Sequence, residues 1–239
     1  MNLRTNCVGL YKMNEAFWDG TPDEVKDSSG QGNDGVRLGN ATTVAEGKIN
    51  RCGTFDGVNS GISLGTPASL QPALITISVW VKTNAIAVWG MIYGSHYEYG
   101  AWLALKSNEK VAFYTKTGAG AFDAWYDIYQ IVIGEWTHIC AVWNGTHKKI
   151  YVNGDFIAEK DVTDGDLNWA GTTDLCIGLE QDKTTYEFNG LMDAVMIFDK
   201  ALSEQEVAFL WNEGKGREHL GTARPLVGGS LASGRKGLV

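Results

Sequence analysis

Apolar and polar residues alternate through the middle of the chain. In "ITISVWVKT" (75–83), Ile75, Ile77, Val79 and Val81 occupy every second position, with polar or aromatic residues between them. A period of two is typical of a strand with one buried face. Similar patterns predict strands at 110–118, 126–134, 135–145 and 174–181.

Two further segments carry local signals. Residues 148–160 read as a hairpin, because Asn153 and Gly154 can both adopt the positive φ of a type I′ turn. Near 203–213 the sequence predicts one short helix, with Ser203 as the N-cap, Glu206 completing a capping box, and Gly214 as the stop.

Strands at short intervals and a single helix predict an all-β fold, an antiparallel two-sheet sandwich. The 239 residues fit one such domain, which we expect to span 1–214. From Lys215 the periodicity ends, and residues 215–239 predict a flexible, Gly-rich, basic tail.

The net charge and the cysteine spacing indicate which partners the protein does not bind and in which compartment it is made. The net charge of −8 argues against nucleic acid as a partner, since nucleic-acid-binding proteins usually present a basic face. No apolar run is long enough for a signal peptide or a membrane span. The widely spaced cysteines, without a CxxC pair, suggest small core residues rather than a zinc site. We therefore expect cytoplasmic synthesis.

Asp193 interrupts the apolar run of the last predicted strand, "FNGLMDAVMIFDKALS" (188–203). A buried carboxylate needs a partner, because desolvating its charge costs several kcal/mol. A cation, a nearby lysine or backbone N–H groups are the candidates.

Several motifs together resemble the laminin G-like, concanavalin A-like lectin and glucanase superfamily. They are "DSSGQGNDG" (27–35), "GTFDGVNSGISLG" (53–65), "ITISVWVKT", "EWTHICAVWNGTHKKIYVNGDFIA" (135–158) and "FNGLMDAVMIFDKALSEQEV" (188–207). The resemblance covers roughly residues 6–214 in co-linear order. It implies a jelly-roll sandwich with one concave sheet that often binds a ligand.

The resemblance also implies a structural calcium ion, since many members carry one. The matching positions are Asp27, the carbonyl of Gly57, and Asp193, with Asn33 and Asp34 in reserve. Calcium suits such a set because it takes six to eight oxygen ligands, carbonyls among them. The alternative is that Asp27 caps a turn and Asp193 pairs with a lysine or with backbone N–H groups.

Catalysis is not expected. Family-16 glycoside hydrolases share this sandwich and carry E-x-D-x-E on a strand, where a retaining mechanism needs two carboxyl groups about 5–5.5 Å apart. The nearest match, "EKDVTD" (159–164), departs from that pattern and is interpreted as a solvated loop. No HExxH motif and no GxxxxGK[ST] phosphate-binding loop is present.

Aromatic residues are dense in "WGMIYGSHYEYGAW" (89–102) and "FDAWYDIY" (122–129). Sugar C–H faces stack on such rings, while neighbouring polar groups bind the hydroxyls. The candidate ligand-binding residues near predicted turns are Trp89, Tyr97, Tyr99, Trp125 and Tyr126. The alternative for these rings is core packing, which we expect for Trp80, Trp136, Trp143 and Trp211.

Two functions follow from this reading. One is a non-catalytic carbohydrate-binding or adhesion module, a lectin in the broad sense, with a glycan as partner. The other is a structural protein of a larger assembly, such as a virion decoration or fibre component, held to other proteins through its tail. A glycan array combined with size-exclusion chromatography distinguishes them.

Overall fold

In the computed structural model of the protein, residues 1–84, 86, 88–107, 109–118, 122–162 and 165–221 are described. The strands are, in chain order, β1 Cys7–Tyr11, β2 Val36–Leu38, β3 Thr42–Val44, β4 Cys52–Asp56, β5 Gly61–Ser63, β6 Ile75–Thr83, β7 Trp89–Gly94, β8 Ala101–Lys106, β9 Lys110–Lys116, β10 Phe122–Trp125, β11 Thr137–Trp143, β12 His147–Val152, β13 Asp155–Asp161, β14 Cys176–Ile177 and β15 Asn189–Phe198. Helix α1 spans Glu204–Trp211, and short 3₁₀ turns lie at Arg4–Asn6 and Ala68–Leu70.

The strands form two antiparallel sheets. The first has eight strands in the order β13-β12-β11-β6-β15-β4-β3, with β1 also paired to β15. The second has seven strands in the order β10-β9-β8-β7-β14-β5-β2. The crossovers between sheets match a jelly-roll sandwich, so the predicted fold class is confirmed.

The apolar side chains at every second position of the strands fill the space between the sheets. On β6, Ile75, Ile77, Val79 and Val81 all join the inner cluster, whereas Trp80 faces outward. The same outer face of the eight-stranded sheet is covered by α1 and by both ends of the described chain, through Leu3, Val207, Leu210 and Leu220. The outer face of the seven-stranded sheet has no helix over it among the described residues.

The predicted capping box and hairpin turn are confirmed, and the predicted end of the helix is not. Ser203 and Glu206 form the reciprocal capping box. The hairpin turns at Asn153 and Gly154, with φ of 51° and 85°. The helix ends earlier than Gly214, because Asn212 already adopts a left-handed conformation at φ 53°.

Two predicted strands are wrong in extent. Within 126–134 the described backbone makes one isolated bridge, Lys110 to Gln130, and no strand. The positive φ of Asp127 (59°) breaks the extension there, and the strand lies just before it, as β10. In 174–181 only Cys176–Ile177 is a strand, since Gly178 turns the chain at φ 90°.

The C-terminal boundary differs from the predicted one. Residues 215–220 lie against the sandwich: Leu220 is buried, and its carbonyl accepts a hydrogen bond from the Leu3 N–H at 2.9 Å. The rest of the predicted tail, 222–239, falls outside the described residues.

Two further expectations can be compared with the structure. Cys7, Cys52, Cys140 and Cys176 are free and buried, as expected of core cysteines. Within the described part of the chain, no helix is long and apolar enough to cross a membrane.

Candidate functional site

The uncovered face of the seven-stranded sheet carries a cluster of aromatic rings. On β8 and β9, Leu103 and Phe113 point into the sandwich core. Their neighbours Trp102 and Tyr114 are cross-strand partners and point outward. Alternation thus places two large rings side by side on a face that the rest of the described chain leaves open.

These rings form part of a pocket of about 260 Å³. Its lining, here called the aromatic pocket, consists of Trp89, Tyr97, Trp102, Tyr114, Ala124 and Tyr186. The centroids of Trp102 and Tyr114 lie 5.0 Å apart at 89°. Trp89 contacts both, at 5.5 Å and 63° for Trp102 and at 5.8 Å and 80° for Tyr114. The rings therefore form a box with nearly perpendicular sides.

Neighbouring loops supply the remaining walls. The Tyr186 carbonyl accepts a hydrogen bond from the Met91 N–H at 2.7 Å, which fixes this loop to β7. Tyr97 stacks on the His96 ring at 4.1 Å, and its N–H points to the Glu180 carboxylate at 3.4 Å. The walls are thus held by backbone and side-chain contacts outside the pocket.

One carboxylate and one ammonium group flank the aromatic pocket. Burial raises the pKa of Glu180 to about 7, against which the Tyr97 N–H and the Thr185 hydroxyl act by favouring the charged form. On the other side, the Lys106 ammonium lies 6.0 Å from the Trp89 centroid and 4.5 Å from that of Tyr126. Neither group lines the pocket itself.

A second depression adjoins the aromatic pocket. It measures about 340 Å³ and shares Trp89 and Tyr186 with its neighbour. Hydroxyl, amide and carboxylate groups from Thr184, Thr185, Glu187 and Asn189 contribute to its lining. An apolar pocket beside a polar one can hold two consecutive units of a ligand that has both kinds of surface.

The structure brings together only some of the ligand-binding residues predicted from sequence. Trp89 and Tyr97 line the aromatic pocket, and Tyr126 lies at its rim under Lys106. Tyr99 does not line the pocket, and its ring centroid lies 5.4 Å from that of His96. Trp125 packs against the inner cluster between the sheets.

Three lining rings were not predicted: Trp102, Tyr114 and Tyr186. For the first two a signal existed in the period of two: Trp102 alternates with Ala101 and Leu103, and Tyr114 alternates with Val111 and Phe113 along its strand. Tyr186 lies in a loop with φ 56°, a position that no periodicity marks.

The proposed calcium ligands do not converge on one ion. Gly57 packs beside Asn189, four residues or about 13 Å along β15 from Asp193. Asp27 pairs with Tyr11, which in turn pairs with Val195, so Asp27 lies about 10 Å from β15. Calcium ligands lie 2.3–2.6 Å from the ion, so these three residues do not fit a single site.

Each carboxylate instead has protein partners. Asp27 accepts hydrogen bonds from the N–H groups of Leu10, Ser29 and Asn33 at 2.8–3.0 Å, and so orders its own loop. Asp193 is buried and accepts one hydrogen bond from the Ile49 N–H at 2.8 Å. Its Oδ1 has no hydrogen-bond partner among the described residues. Calcium binding through Asp193 and other ligands stays a prediction.

Burial explains the state of Asp193. It raises the pKa of Asp193 to about 7, and the nearby Glu218 carboxylate adds to the shift. The carboxyl group is therefore easily protonated near neutral pH, which lowers the cost of burying it.

The solvated loop predicted for the acidic segment 159–164 is wrong for its first three residues. Glu159 and Asp161 lie on edge strand β13, and residues 163 and 164 fall outside the described part of the chain. Glu159 is paired with Lys149 at 2.7 Å and Asp161 with His147 at 2.9 Å. The pKa of Glu159 is lowered by Lys149, the opposite of what a general acid needs.

Similar solved structures share this fold at low sequence identity. Domain 4 of AbnA, a GH43 extracellular arabinanase from Geobacillus stearothermophilus solved in complex with arabinotriose, has a TM-score of 0.68 and 18% identity, covering 85% of this chain and 97% of that domain. The binding domain of Paraclostridial Mosquitocidal Protein 1 has a TM-score of 0.67 and 20% identity, with 89% of this chain covered. The receptor-binding domain of botulinum neurotoxin type G has a TM-score of 0.63 and 17% identity, with 87% covered.

The chain spans about half the length of the two toxin domains, 53% and 51%. No curated protein matches the sequence significantly. A family model described as "Concanavalin A-like lectin/glucanases superfamily" matches residues 56–208, which is well over half of the chain. The protein therefore belongs to the laminin G-like branch of the concanavalin A-like lectin and glucanase superfamily.

Proposed function

We propose that this protein is a non-catalytic saccharide-binding module whose ligand enters the aromatic pocket. The observation that carries the proposal is the pocket itself: an apolar box of rings on a sheet face that the rest of the described chain leaves open, with a polar depression beside it. Sugars present apolar C–H surfaces next to hydroxyl groups and match such a pair of surfaces. That a domain of the same fold was solved with arabinotriose supports this reading.

The size of the aromatic pocket bears on affinity. At about 260 Å³ it is slightly smaller than a drug-sized ligand site, so it suits one sugar unit. A single shallow subsite binds weakly, and several copies on one particle or surface are needed for tight attachment. We therefore expect multivalent presentation to raise the apparent affinity.

The mutational test uses rings on opposite faces. Trp89→Ala and Tyr97→Ala should each reduce glycan binding at least tenfold, because each removes a pocket wall, while the melting temperature changes little. The matched control is Phe156→Ala, a half-exposed ring on β13 of the other sheet, which should bind as wild type does. Glycan-array signal followed by calorimetry on the best ligand provides the measurement. Equal binding by all three variants and wild type would refute the site.

Absence of hydrolysis is a separate prediction. Retaining hydrolysis needs two carboxyl groups at a cleft, one with a raised pKa. Beside the aromatic pocket the carboxylate with a raised pKa is Glu180, which is buried behind Tyr97. We expect no release of reducing sugar from any bound polysaccharide over a day, with a family-16 glucanase as the positive control. Product formation that Glu180→Gln abolishes would contradict the proposal.

A further inference from the structure

The polar depression beside the aromatic pocket contains a carboxylate without a protein partner. Glu187 lines this depression and is half-buried. Its carboxylate has no hydrogen bond or ion pair with any described residue. An unpaired carboxylate at such a position is costly, because water reaches it only in part. A ligand that donates hydrogen bonds to it recovers part of that cost.

The backbone on both sides of Glu187 fixes its position. The Tyr186 carbonyl accepts a hydrogen bond from the Met91 N–H at 2.7 Å. On the other side, the Phe188 N–H donates to the Gly178 carbonyl at 2.8 Å, and the Phe188 side chain is buried in the core. Glu187 therefore lies between an anchored pocket wall and an anchored core residue. Such preorganisation reduces the entropy that is lost when a ligand binds.

Two other polar side chains of the depression are already engaged. The Thr185 hydroxyl donates to the Asp182 carboxylate at 2.7 Å, and the Asn189 amide oxygen accepts a hydrogen bond from the Asn84 amide at 2.9 Å. No lysine, arginine or histidine is among the described residues that line the two depressions. In this lining, Glu187 is thus the one charged group, and its oxygens are free to accept hydrogen bonds.

The chemistry of this carboxylate restricts the ligand. Two adjacent hydroxyl groups of a sugar can donate to the two oxygens of one carboxylate, and hydrogen bonds to a charged acceptor are stronger than those to a neutral one. The polar depression shares Trp89 and Tyr186 with the aromatic pocket, so consecutive units of one sugar chain can occupy both. An acidic sugar meets the Glu187 charge without a cation in the lining to offset it, and like charges repel more strongly where water is partly excluded.

We infer that Glu187 binds the second unit of the ligand by accepting hydrogen bonds from two neighbouring hydroxyl groups, and that the ligand is an uncharged oligosaccharide of at least two units. This rests on the proposed saccharide-binding function, and it names the size and charge of the ligand and a residue that selects it. One unit occupies the aromatic pocket, and the next lies over the polar depression.

A chain-length series tests the role of Glu187. Arabinose, arabinobiose and arabinotriose are titrated beside glucose, cellobiose and cellotriose, with NMR chemical-shift changes as the readout. In the better-bound series, the two-unit sugar should bind about tenfold more tightly than the single unit, because it also donates hydrogen bonds to the carboxylate.

The variant Glu187→Gln keeps the length of the side chain but loses the charge and one acceptor oxygen. It should remove most of the gain from the second unit and leave single-unit binding within about twofold of wild type, because the single unit occupies the aromatic pocket. Glu159→Gln, on β13 of the other sheet, is the matched control and should bind every sugar as wild type does.

A second measurement needs no variant. Galactobiose and digalacturonic acid differ in the group at C6, which is a hydroxymethyl in the first and a carboxylate in the second. Wild type should bind galactobiose about tenfold more tightly at low salt, and high salt should narrow the difference, since it screens the repulsion from Glu187.

Three results would each overturn the inference: equal binding of one-unit and two-unit sugars, a chain-length gain that Glu187→Gln leaves intact, or tighter binding of digalacturonic acid than of galactobiose. The proposed function survives any of them if the bound sugar still loses affinity in Trp89→Ala. If no sugar binds, either in these titrations or on the glycan array, both fail.

Discussion

Two tryptophans on the seven-stranded sheet show that strand register decides on which face of the sheet a side chain lies. Trp102 is paired with Tyr114 and faces outward, whereas Trp125 is paired with Phe113 and faces the core. Sequence alternation could have placed Trp102, because Leu103 and Leu105 define the buried side of its strand. It could not have shown that this outer face is open, since the opposite sheet also has a tryptophan, Trp80, on an outer face that α1 covers.

Asp193 shows the same limit for a polar residue. The sequence pattern predicts a buried carboxylate with backbone N–H groups among its candidate partners, and the structure shows both. The identity of the donor, Ile49, depends on a contact between residues 144 positions apart. No local pattern encodes such a contact.

The raised pKa of Asp193 predicts how stability depends on pH. Below about 4 the carboxyl group is protonated in both folded and unfolded chains, and between about 4 and 7 mainly in the folded one. Its contribution to the free energy of unfolding is therefore present at low pH and lost as pH rises through about 7. The side chain of Asp193→Asn cannot titrate. Between pH 4 and 8 the free energy of unfolding of wild type, measured with urea, should therefore fall by roughly 2–4 kcal/mol relative to that of Asp193→Asn.

The control variant is Glu159→Gln, whose exposed carboxylate is ion-paired and should leave that difference unchanged. A pH-independent gap between Asp193→Asn and wild type would contradict the raised pKa. The same series measured in calcium chloride and in chelator also tests the metal. If Asp193 binds calcium, the ion raises the melting temperature of wild type and not of Asp193→Asn.

Between elements, a charged cluster joins the edges of the two sheets. Lys148 on β12 is fully buried, and its ammonium donates to the Asp123 carboxylate and to the Phe113 carbonyl. Lys160 on the neighbouring β13 donates to the other Asp123 oxygen at 2.7 Å. Burial lowers the pKa of Lys148 to about 8, although Asp123 opposes this shift. From sequence, a lysine such as Lys148 in an alternating strand is expected at the surface. Its burial depends on Asp123, which lies at the edge of the opposite sheet.

Removing the carboxylate of this cluster should destabilise the sandwich strongly. Asp123→Ala leaves the buried Lys148 ammonium without a counter-ion, which typically costs about 3–5 kcal/mol. Lys160→Met, at the more exposed partner, should cost less than about 1 kcal/mol. Denaturant unfolding of both variants provides the comparison. Adding Lys148→Met to Asp123→Ala should recover stability, and a further loss in the double variant would contradict this account.

Over the whole molecule, the sandwich architecture followed from alternation, turn residues and the capping box, since these are local. The closure of the eight-stranded face did not, because residues 215–220 carry no periodicity. They are held by scattered contacts: Arg217 donates to the Phe209 carbonyl at 2.8 Å, and Asn14 donates to Glu218 at 2.8 Å. Because such contacts leave no periodic pattern, the sequence predicts this segment as a flexible tail.

Truncation tests the importance of this segment. A chain ending at Gly214 loses the buried Leu220 side chain and the contacts of Arg217 and Glu218, together worth roughly 3 kcal/mol. Its melting temperature should fall by about 6–12 °C. A chain ending at Gly221 keeps these contacts and should melt as the full chain does. Equal melting of the two truncated chains would show that residues 215–220 contribute nothing to stability.

The hydrogen bond between Leu3 and Leu220 has a geometrical consequence for how this domain can be mounted. Both ends of the described chain leave from the outer face of the eight-stranded sheet, and the aromatic pocket opens on the opposite face. An anchor fused to either end therefore holds the domain with its binding face directed outward. Copies arrayed on a scaffold through either end would all present their pockets to the same opposing surface, the arrangement in which weak single-site binding gains most from avidity.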